Sequence, residues 1–285
     1  MRKVLVHLHI YYHDQTDYFI KKLANINGCE WDLYVTMNTM DEETENLLRG
    51  FKSDVKIIQV ENRGYDVWPF IKVLKSVNLD DYDYILKLHT KNSNNPANRI
   101  NGLSLKYYTW RNELVDSLLK SPEIFSRLLD TFERHPEVGL MCSHLLYKKI
   151  SDGLKEDLSR LDNELNRLGL VVKDRRFCAG TMFIARSQPY KLFQDDRTVN
   201  LETFPDLPKT HTTGSMAHVY ERILTMVVIA DGYKVKPIII DWPKSIYITI
   251  AYFVQPVLQQ IFSIRRFGEN RIKLMTLFGF RFRLK

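Results

Sequence analysis

Cysteine is scarce in this chain, with Cys29, Cys142 and Cys178 the only three in 285 residues. Their odd number and wide spacing, without a Cys-x-x-Cys pair, exclude a disulfide framework and a zinc module, and predict reduced thiols in a cytosolic protein. The chain also lacks a Walker loop, a Gly-x-Gly-x-x-Gly turn after a strand, a Gly-x-Ser-x-Gly elbow and a His-Glu-x-x-His helix, so the chemistries those motifs serve are not indicated. It has no internal repeat and no low-complexity segment. The N-terminus, MRKVLVHLHIYYHD, breaks its apolar run at His7 and His9, which predicts a first strand rather than a signal peptide and a protein that is not secreted. The uncharged run 246–264 holds Gln255, Pro256, Gln259 and Gln260, and predicts an interfacial or domain-packed segment rather than a membrane span.

What is present describes an ordinary folded protein: 45% hydrophobic and 26% charged residues, enough for a large core in one domain plus an appendage. The net charge of +7 is unevenly placed. Residues 261–285 hold Arg265, Arg266, Arg271, Lys273, Arg281, Arg283 and Lys285 against the single acid Glu269, which is +6 of the total. A nearly neutral body with a basic, aromatic tail suits an anionic membrane surface better than a nucleic-acid groove, and no nucleic-acid partner is expected. A soluble C-terminal packing segment is the other reading of the tail.

The body alternates strand and helix. Strands are expected at Val4–Ile10, Trp31–Met37, Ile57–Val60, Tyr84–Leu88, Val138–Cys142, Phe177–Ala185 and Val235–Ile240, and helices at 17–24, 41–49, 67–77, 107–120, 122–134, 151–168 and 215–230. The Asn-rich segment 92–104 reads as a loop beside a site, in the place of a lid. The domain bounds expected are 1–243 and 244–285.

Two polar clusters close apolar strands. Asn62-Arg63-Gly64-Tyr65-Asp66 follows Ile57–Val60, and Gly64 allows a turn while Asn62 and Asp66 offer amide and carboxylate groups. The same residues serve equally as a turn and helix cap. Lys87, His89 and Lys91 alternate along the next strand, so they share a face and call for an anion such as a diphosphate; an exposed basic edge strand is the alternative. Gly180-Thr181 interrupts a later strand, where a ligand approaches the backbone or a bulge forms. His218, Glu221 and Arg222 lie on a helix, with His218 and Glu221 on one face, as a carboxylate base with its partners or as a surface ion pair. A metal held by His218, Glu221 and His89 is weakly supported by so short a pattern. Trp110 and Arg111 offer stacking and anion contact, or a partly buried helix aromatic.

The segments NRGYDVWPF, YDYILKLHTKNS, WRNELVDSLL, FCAGTMFIAR and AHVYERIL, in that order across roughly residues 30–240, resemble the rhamnan-synthesis protein F family of bacterial polysaccharide glycosyltransferases. The resemblance implies a GT-A-like fold, a Rossmann-type open mixed sheet flanked by helices. It also implies sugar transfer, typically of rhamnose from a nucleotide sugar such as dTDP-rhamnose, to a lipid-linked glycan acceptor at the inner face of the plasma membrane. By analogy with the wider GT-A pattern, Glu221 occupies the base position, eleven residues before Gly232. His9, Asn38, Asn62, Gly64, Asp66, Lys87, His89 and Lys91 fall on the donor side. Trp110, Arg111, Gly180, Thr181, His218 and Arg222 fall on the acceptor or sugar side. The Asp-x-Asp metal motif of that pattern is replaced by Lys87-Leu88-His89-Thr90-Lys91, so catalysis without a metal is expected, Mg or Mn remaining the alternative. The expected function is an inverting glycosyltransferase; the rival is a non-catalytic glycan-binding or scaffold subunit of a polysaccharide synthase.

Overall fold

The computed structural model describes residues 2–92, 99–100, 103–104, 108–150, 155–205, 215–267 and 272–284. In chain order the strands are β1 (Lys3–Ile10), β2 (Glu30–Met37), β3 (Lys56–Gln59), β4 (Tyr84–His89), β5 (Arg99–Ile100), β6 (Leu103–Ser104), β7 (Val138–Ser143), β8 (Tyr147–Lys149), β9 (Arg176–Cys178), β10 (Phe183–Arg186), β11 (Lys234–Ile238), β12 (Phe262–Phe267), β13 (Ile272–Leu277) and β14 (Phe280–Leu284). The helices are α1 (Thr16–Leu23), α2 (Glu42–Phe51), α3 (Val67–Ser76), α4 (Thr109–Leu119), α5 (Pro122–Arg134), α6 (Lys155–Arg167), α7 (Met216–Ala230) and α8 (Trp242–Ile261). The chain divides into two compact units, residues 1–93 with 108–240 and residues 94–107 with 241–285.

Strands whose apolar runs are buried from end to end, β1, β4 and β7, form the middle of the first unit. A strand covered on both faces reads as a near-continuous hydrophobic run and pairs in parallel. The seven-stranded sheet has the order β11-β7-β10-β4-β1-β2-β3. Its neighbours run parallel except at β10, which is antiparallel to both β4 and β7. This is the open mixed α/β sheet flanked by helices that the resemblance implies. The carboxyl ends of the other six strands therefore share one edge with the start of β10, the edge where ligands of such sheets are bound.

Helix starts follow local chemistry. The Asp41 side chain accepts from the Thr44 amide at 2.8 Å to begin α2, and Ser121 followed by Pro122 begins α5. Helix α3 is the apolar lid of the sheet, burying Val67, Trp68, Phe70, Ile71, Val73 and Leu74. Phe70 meets His7, Phe183 and Tyr190 at ring-centre distances of 5.5, 6.2 and 5.8 Å.

Two expectations are corrected. The single strand predicted over 177–185 is two: β9 pairs with β8, and β10 enters the main sheet. Between them Gly180 (φ 88°) and Thr181 (φ 47°) turn the chain through the left-handed region, and the Thr181 amide donates to the Cys178 carbonyl. The sequence likewise predicts no strand in the basic tail, where α8 leads into the antiparallel strands β12, β13 and β14. Among the described residues no helix is long and apolar enough to cross a membrane. The Asn-rich segment expected as a lid lies largely outside the described residues; its described parts, β5 and β6, pair antiparallel within the second unit.

Gly139 in β7 shows how tightly the first unit is packed, since a Cβ there would lie 2.4 Å from Tyr233 Cβ and 2.5 Å from Val228 Cγ1. Neither is the loose end of a long side chain. Gly139→Ala is expected to destabilise by about 1–3 kcal/mol through overpacking, read as a lower urea midpoint at unchanged slope.

Candidate functional site

Register decides which polar residues meet. His7 is paired with Lys87, and His9 with His89, across the parallel β1–β4 ladder; His9 is also paired with Thr36 across β1–β2. Side chains at paired positions share a face, so these five groups form a polar patch under the N-terminus of α3. Lys87 is 0% exposed and His89 3%.

The centre of the patch is an ion pair. The Lys87 ammonium donates to Asp66 Oδ2 at 2.5 Å, to Thr181 Oγ1 at 3.1 Å and to the Thr181 carbonyl at 3.2 Å. Three acceptors use all three ammonium protons. Asp66 is the residue before α3, yet its carboxylate makes no capping bond and turns down to Lys87 and to the Thr181 hydroxyl at 2.5 Å. Burial alone would raise the Asp66 carboxyl, but the Lys87 ammonium in direct contact and the nearby Lys91 outweigh it and hold the group well below the usual carboxylate range. Burial lowers the Lys87 pKa, with Asp66 opposing.

The three histidines stay neutral. Burial pulls His9 down to about 4 and takes His7 and His89 well below their ordinary value. His7 Nε2 and His9 Nδ1 share the Thr36 hydroxyl at 2.9 and 3.0 Å. His89 Nδ1 faces Asp66 Oδ2 at 3.5 Å, and neither ring nitrogen has a hydrogen-bond partner among the described residues. A proton on Nδ1 toward the carboxylate leaves Nε2 as an acceptor for a ligand hydroxyl.

The expected triple cation on β4 is therefore corrected. Lys87 is saturated by protein acceptors and His89 is neutral, because Asp66 and burial decide charge where alternation decides only the face. Lys91 remains: its ammonium lies 5.4 Å from the Trp110 ring centre.

Thr181 links this cluster to a second one. Its neighbour Gly180 donates its backbone N–H to Glu221 Oε1 at 2.7 Å, which fixes one carboxylate oxygen. A β-branched residue at φ 47° is strained, and the bonds to Lys87 and Asp66 hold Thr181 there. A Cβ at Gly180 would meet Leu114 Cδ1 at 2.9 Å and Trp110 Nε1 at 3.3 Å. Lys148 lies within electrostatic reach of Glu221; burial lowers its pKa, with Glu221 opposing. His218 bonds through Nδ1 to the Ser215 hydroxyl at 2.9 Å, and its ring sits 5.9 Å from that of Tyr65. Arg222 donates to the His218 carbonyl and lies over Phe177, in place of the expected pairing with Glu221.

Other expected site residues have different work. Arg111 is stacked between Tyr18 and Tyr108, 3.5 and 3.8 Å from their ring centres, and donates to Gln15 Oε1, which also accepts from the Lys91 amide. It braces the Lys91 backbone and is not presented to an anion. Asn38 donates to the carbonyls of Val60 and Glu61, tying the end of β2 to the turn after β3. Asn62 is exposed, and Gly64 (φ 64°) packs its Cα against Phe204 and Trp68. Sequence reasoning passed over Thr36, Gln15 and Lys148, and read Thr90 only as part of the Lys87–Lys91 segment. Thr90 accepts from the Tyr11 and Tyr12 amides and so joins the tips of β1 and β4. A polar residue at the end of an apolar strand was the available signal for Thr36 and Thr90.

An open mixed sheet flanked by helices, with a buried charged cluster at the carboxyl ends of its parallel strands, defines an α/β domain of the GT-like class, and the cluster lies at the edge where such sheets bind ligands. The family profile described as rhamnan synthesis protein F matches residues 1–233, and the chain belongs to that family. Among curated relatives, the protein WxcX of two Xanthomonas campestris pv. campestris strains is 28% identical over 237 residues, covering 80% of this chain and 32% of the relative. The chain thus spans about a third of the length of those relatives. Of solved structures, residues 1–349 of S. aureus TarS align over 67% of this chain and 48% of that one, at 11% identity and a TM-score of 0.36. That likeness is too slight to argue from.

Two outcomes are expected from this geometry. Lys87→Met leaves Asp66 charged and unpaired, and should cost roughly 3–5 kcal/mol in chemical denaturation, whereas adding Asp66→Leu should restore much of it. The histidines, with folded pKa values below unfolded ones, contribute stability that is complete above about pH 6.5. As pH falls below that, the unfolded chain takes up protons that the fold refuses, at roughly 1–1.5 kcal/mol per pH unit for each histidine. For His9 the loss continues to its folded value of about 4. Asp66, with a depressed pKa, loses its contribution only at lower pH. Melting temperature should fall between pH 6.5 and 4.5, and less steeply in His9→Gln; equal slopes would refute the assignment.

Proposed function

We propose that this chain is a polysaccharide glycosyltransferase that moves a sugar from a nucleotide sugar to a glycan acceptor. The observation that carries the reading is the Glu221 carboxylate, pinned by the Gly180 N–H at 2.7 Å on the edge of the sheet that holds the Asp66–Lys87–His89 cluster. A carboxylate fixed through one oxygen is suited to take the proton of an acceptor hydroxyl on the other. Membership of a family described by rhamnan synthesis supports a polysaccharide product.

In the proposed reaction the acceptor oxygen loses its proton to Glu221 Oε2 and attacks the anomeric carbon. The bond from that carbon to the diphosphate oxygen breaks, the configuration inverts, and the nucleoside diphosphate leaves with the electron pair. Lys91 meets the developing negative charge, since Lys87 is already neutralised. His89 Nε2 and Trp110 Nε1, both buried and without a hydrogen-bond partner among the described residues, are the groups we propose to accept from and donate to sugar hydroxyls.

A divalent ion does not suit this donor set. Where the GT-A pattern has two carboxylates the chain has Lys87 and His89, and the carboxylate facing them, Asp66, is engaged by the Lys87 ammonium. Transfer without a metal is the mechanism proposed, with the Lys91 ammonium in the place of the cation. Rhamnose carried on dTDP is the donor proposed, and a lipid-linked glycan at the anionic inner face of the plasma membrane is the acceptor proposed.

Calorimetric titration with dTDP, UDP and GDP, in EDTA and with Mn²⁺, tests these steps. Selective binding of one nucleotide in EDTA is expected, with Lys91→Gln weakening it roughly tenfold or more through loss of a charge-assisted bond. Glu221→Gln should abolish transfer and keep nucleotide affinity. Binding only with Mn²⁺ would overturn the metal-free mechanism, and no binding under any condition would favour the non-catalytic glycan-binding subunit.

A further inference from the structure

The small sheet of the second unit has one apolar face. Phe262 pairs with Leu277, Ile264 with Met275, Leu277 with Phe280 and Met275 with Phe282. Directly opposed residues of antiparallel strands point the same way, so these six side chains share a side. On β14 the exposed Arg281 and Arg283 alternate with Phe280 and Phe282 and point to the other side. Helix α8 has its own exposed apolar stripe, Ile246, Ile250, Val254, Val257 and Ile261, at helical spacing.

The turn between β13 and β14 carries the sharper signal. Phe278 and Gly279 connect the strands with φ of 47° and 83°, the left-handed pair that a two-residue hairpin needs and that Asn-Gly normally supplies. A phenylalanine there is strained, and it is 71% exposed, so it gains little from the fold in return. Its backbone is not loose: the Phe278 and Gly279 amides donate to the Ile261 and Gln260 carbonyls at the end of α8, both at 2.7 Å. The turn is held rigid with an aromatic ring at its tip.

We infer that this hairpin and the apolar face behind it form a monotopic docking surface for an anionic lipid bilayer. The Phe278 tip and the adjoining Phe280 and Phe282 enter the boundary between headgroups and acyl chains edge-on, while Arg281 and Arg283 on the opposite side of the sheet, and Lys273 at the far end of β13 from the tip, stay at the level of the lipid phosphates. Charge selects this occupant over a second copy of the chain. Residues 261–285 hold seven basic side chains against Glu269, so two such tails would repel, whereas an anionic surface complements them. The inference rests on the membrane-surface part of the function proposed above and is independent of the sugar chemistry.

The test is flotation of the full chain with phosphatidylcholine vesicles, with and without phosphatidylglycerol. Binding is expected only with the anionic lipid, weakening as salt rises. Phe278→Asn should lower vesicle affinity roughly tenfold while holding or raising the melting temperature, because Asn accepts the left-handed conformation. Fluorescence of Phe278→Trp should shift to the blue on binding and be quenched by lipids brominated in their acyl chains. Arg281→Glu with Arg283→Glu should remove the preference for phosphatidylglycerol. Absence of vesicle binding, or affinity unchanged by Phe278→Asn, would overturn the inference. A dimer in sedimentation velocity that Phe278→Asn dissociates would reassign the surface to a second copy. Transfer to a soluble acceptor should survive Phe278→Asn, so failure of this surface and failure of the transferase reading are read separately.

Discussion

The ammonium of Lys87, buried against the Asp66 carboxylate, is the interaction on which the rest of the site depends. A charge at that depth is tolerable only with an opposite charge and full hydrogen bonding, and each requirement places a different piece of the chain. The carboxylate brings the N-terminus of α3 over the end of β4. The remaining two protons draw Thr181 into a left-handed turn, and that turn aims the Gly180 N–H at Glu221. A buried pair contributes little net stability compared with an apolar core of the same volume. Its effect is positional: it joins a helix terminus, a strand end and a turn from distant parts of the sequence into one arrangement.

Around that pair the site keeps its charge count low. Three histidines lie on the same face of the sheet, and burial holds all of them neutral. They act as hydrogen-bonding groups, two through the Thr36 hydroxyl and one with both nitrogens unengaged among the described residues. With Lys87 and Asp66 cancelling, Lys91 supplies the cation of the cluster, its backbone braced by Gln15 and through it by the stacked Arg111.

The second unit follows a different logic. In the first, apolar residues face inward across a sheet flanked by helices; in the second, strands of five or six residues leave aromatic side chains in water. An exposed apolar face of this kind implies a covering surface, and the interleaved arginines give that surface its sign. The strained Phe278 turn fits the same account, since backbone strain persists where function holds it.

Much of the scaffold was legible in the residues. Strands β1, β2, β4 and β7 are expected within one residue of their ends, because unbroken apolar runs admit few other readings, and α5 is expected over 122–134, where it lies. The site was legible as a list of residue types and opaque as electrostatics. Alternation put Lys87, His89 and Lys91 on one face, but Asp66 arrives from 21 positions earlier and converts one of them into half of a neutral pair. Burial, a property of the assembled sheet and helix, discharges the second. In the same way Arg111 looked like an anion contact until Tyr18 and Tyr108 closed on it. Local pattern sets the succession of the main-sheet strands and their flanking helices, the polar residues at the strand tips and the basic character of the tail. Only the tertiary structure decided which of those polar residues carry charge, which are consumed by one another, and that Gly180 and Thr181 join the two clusters, because those outcomes depend on groups remote in sequence meeting where water is excluded.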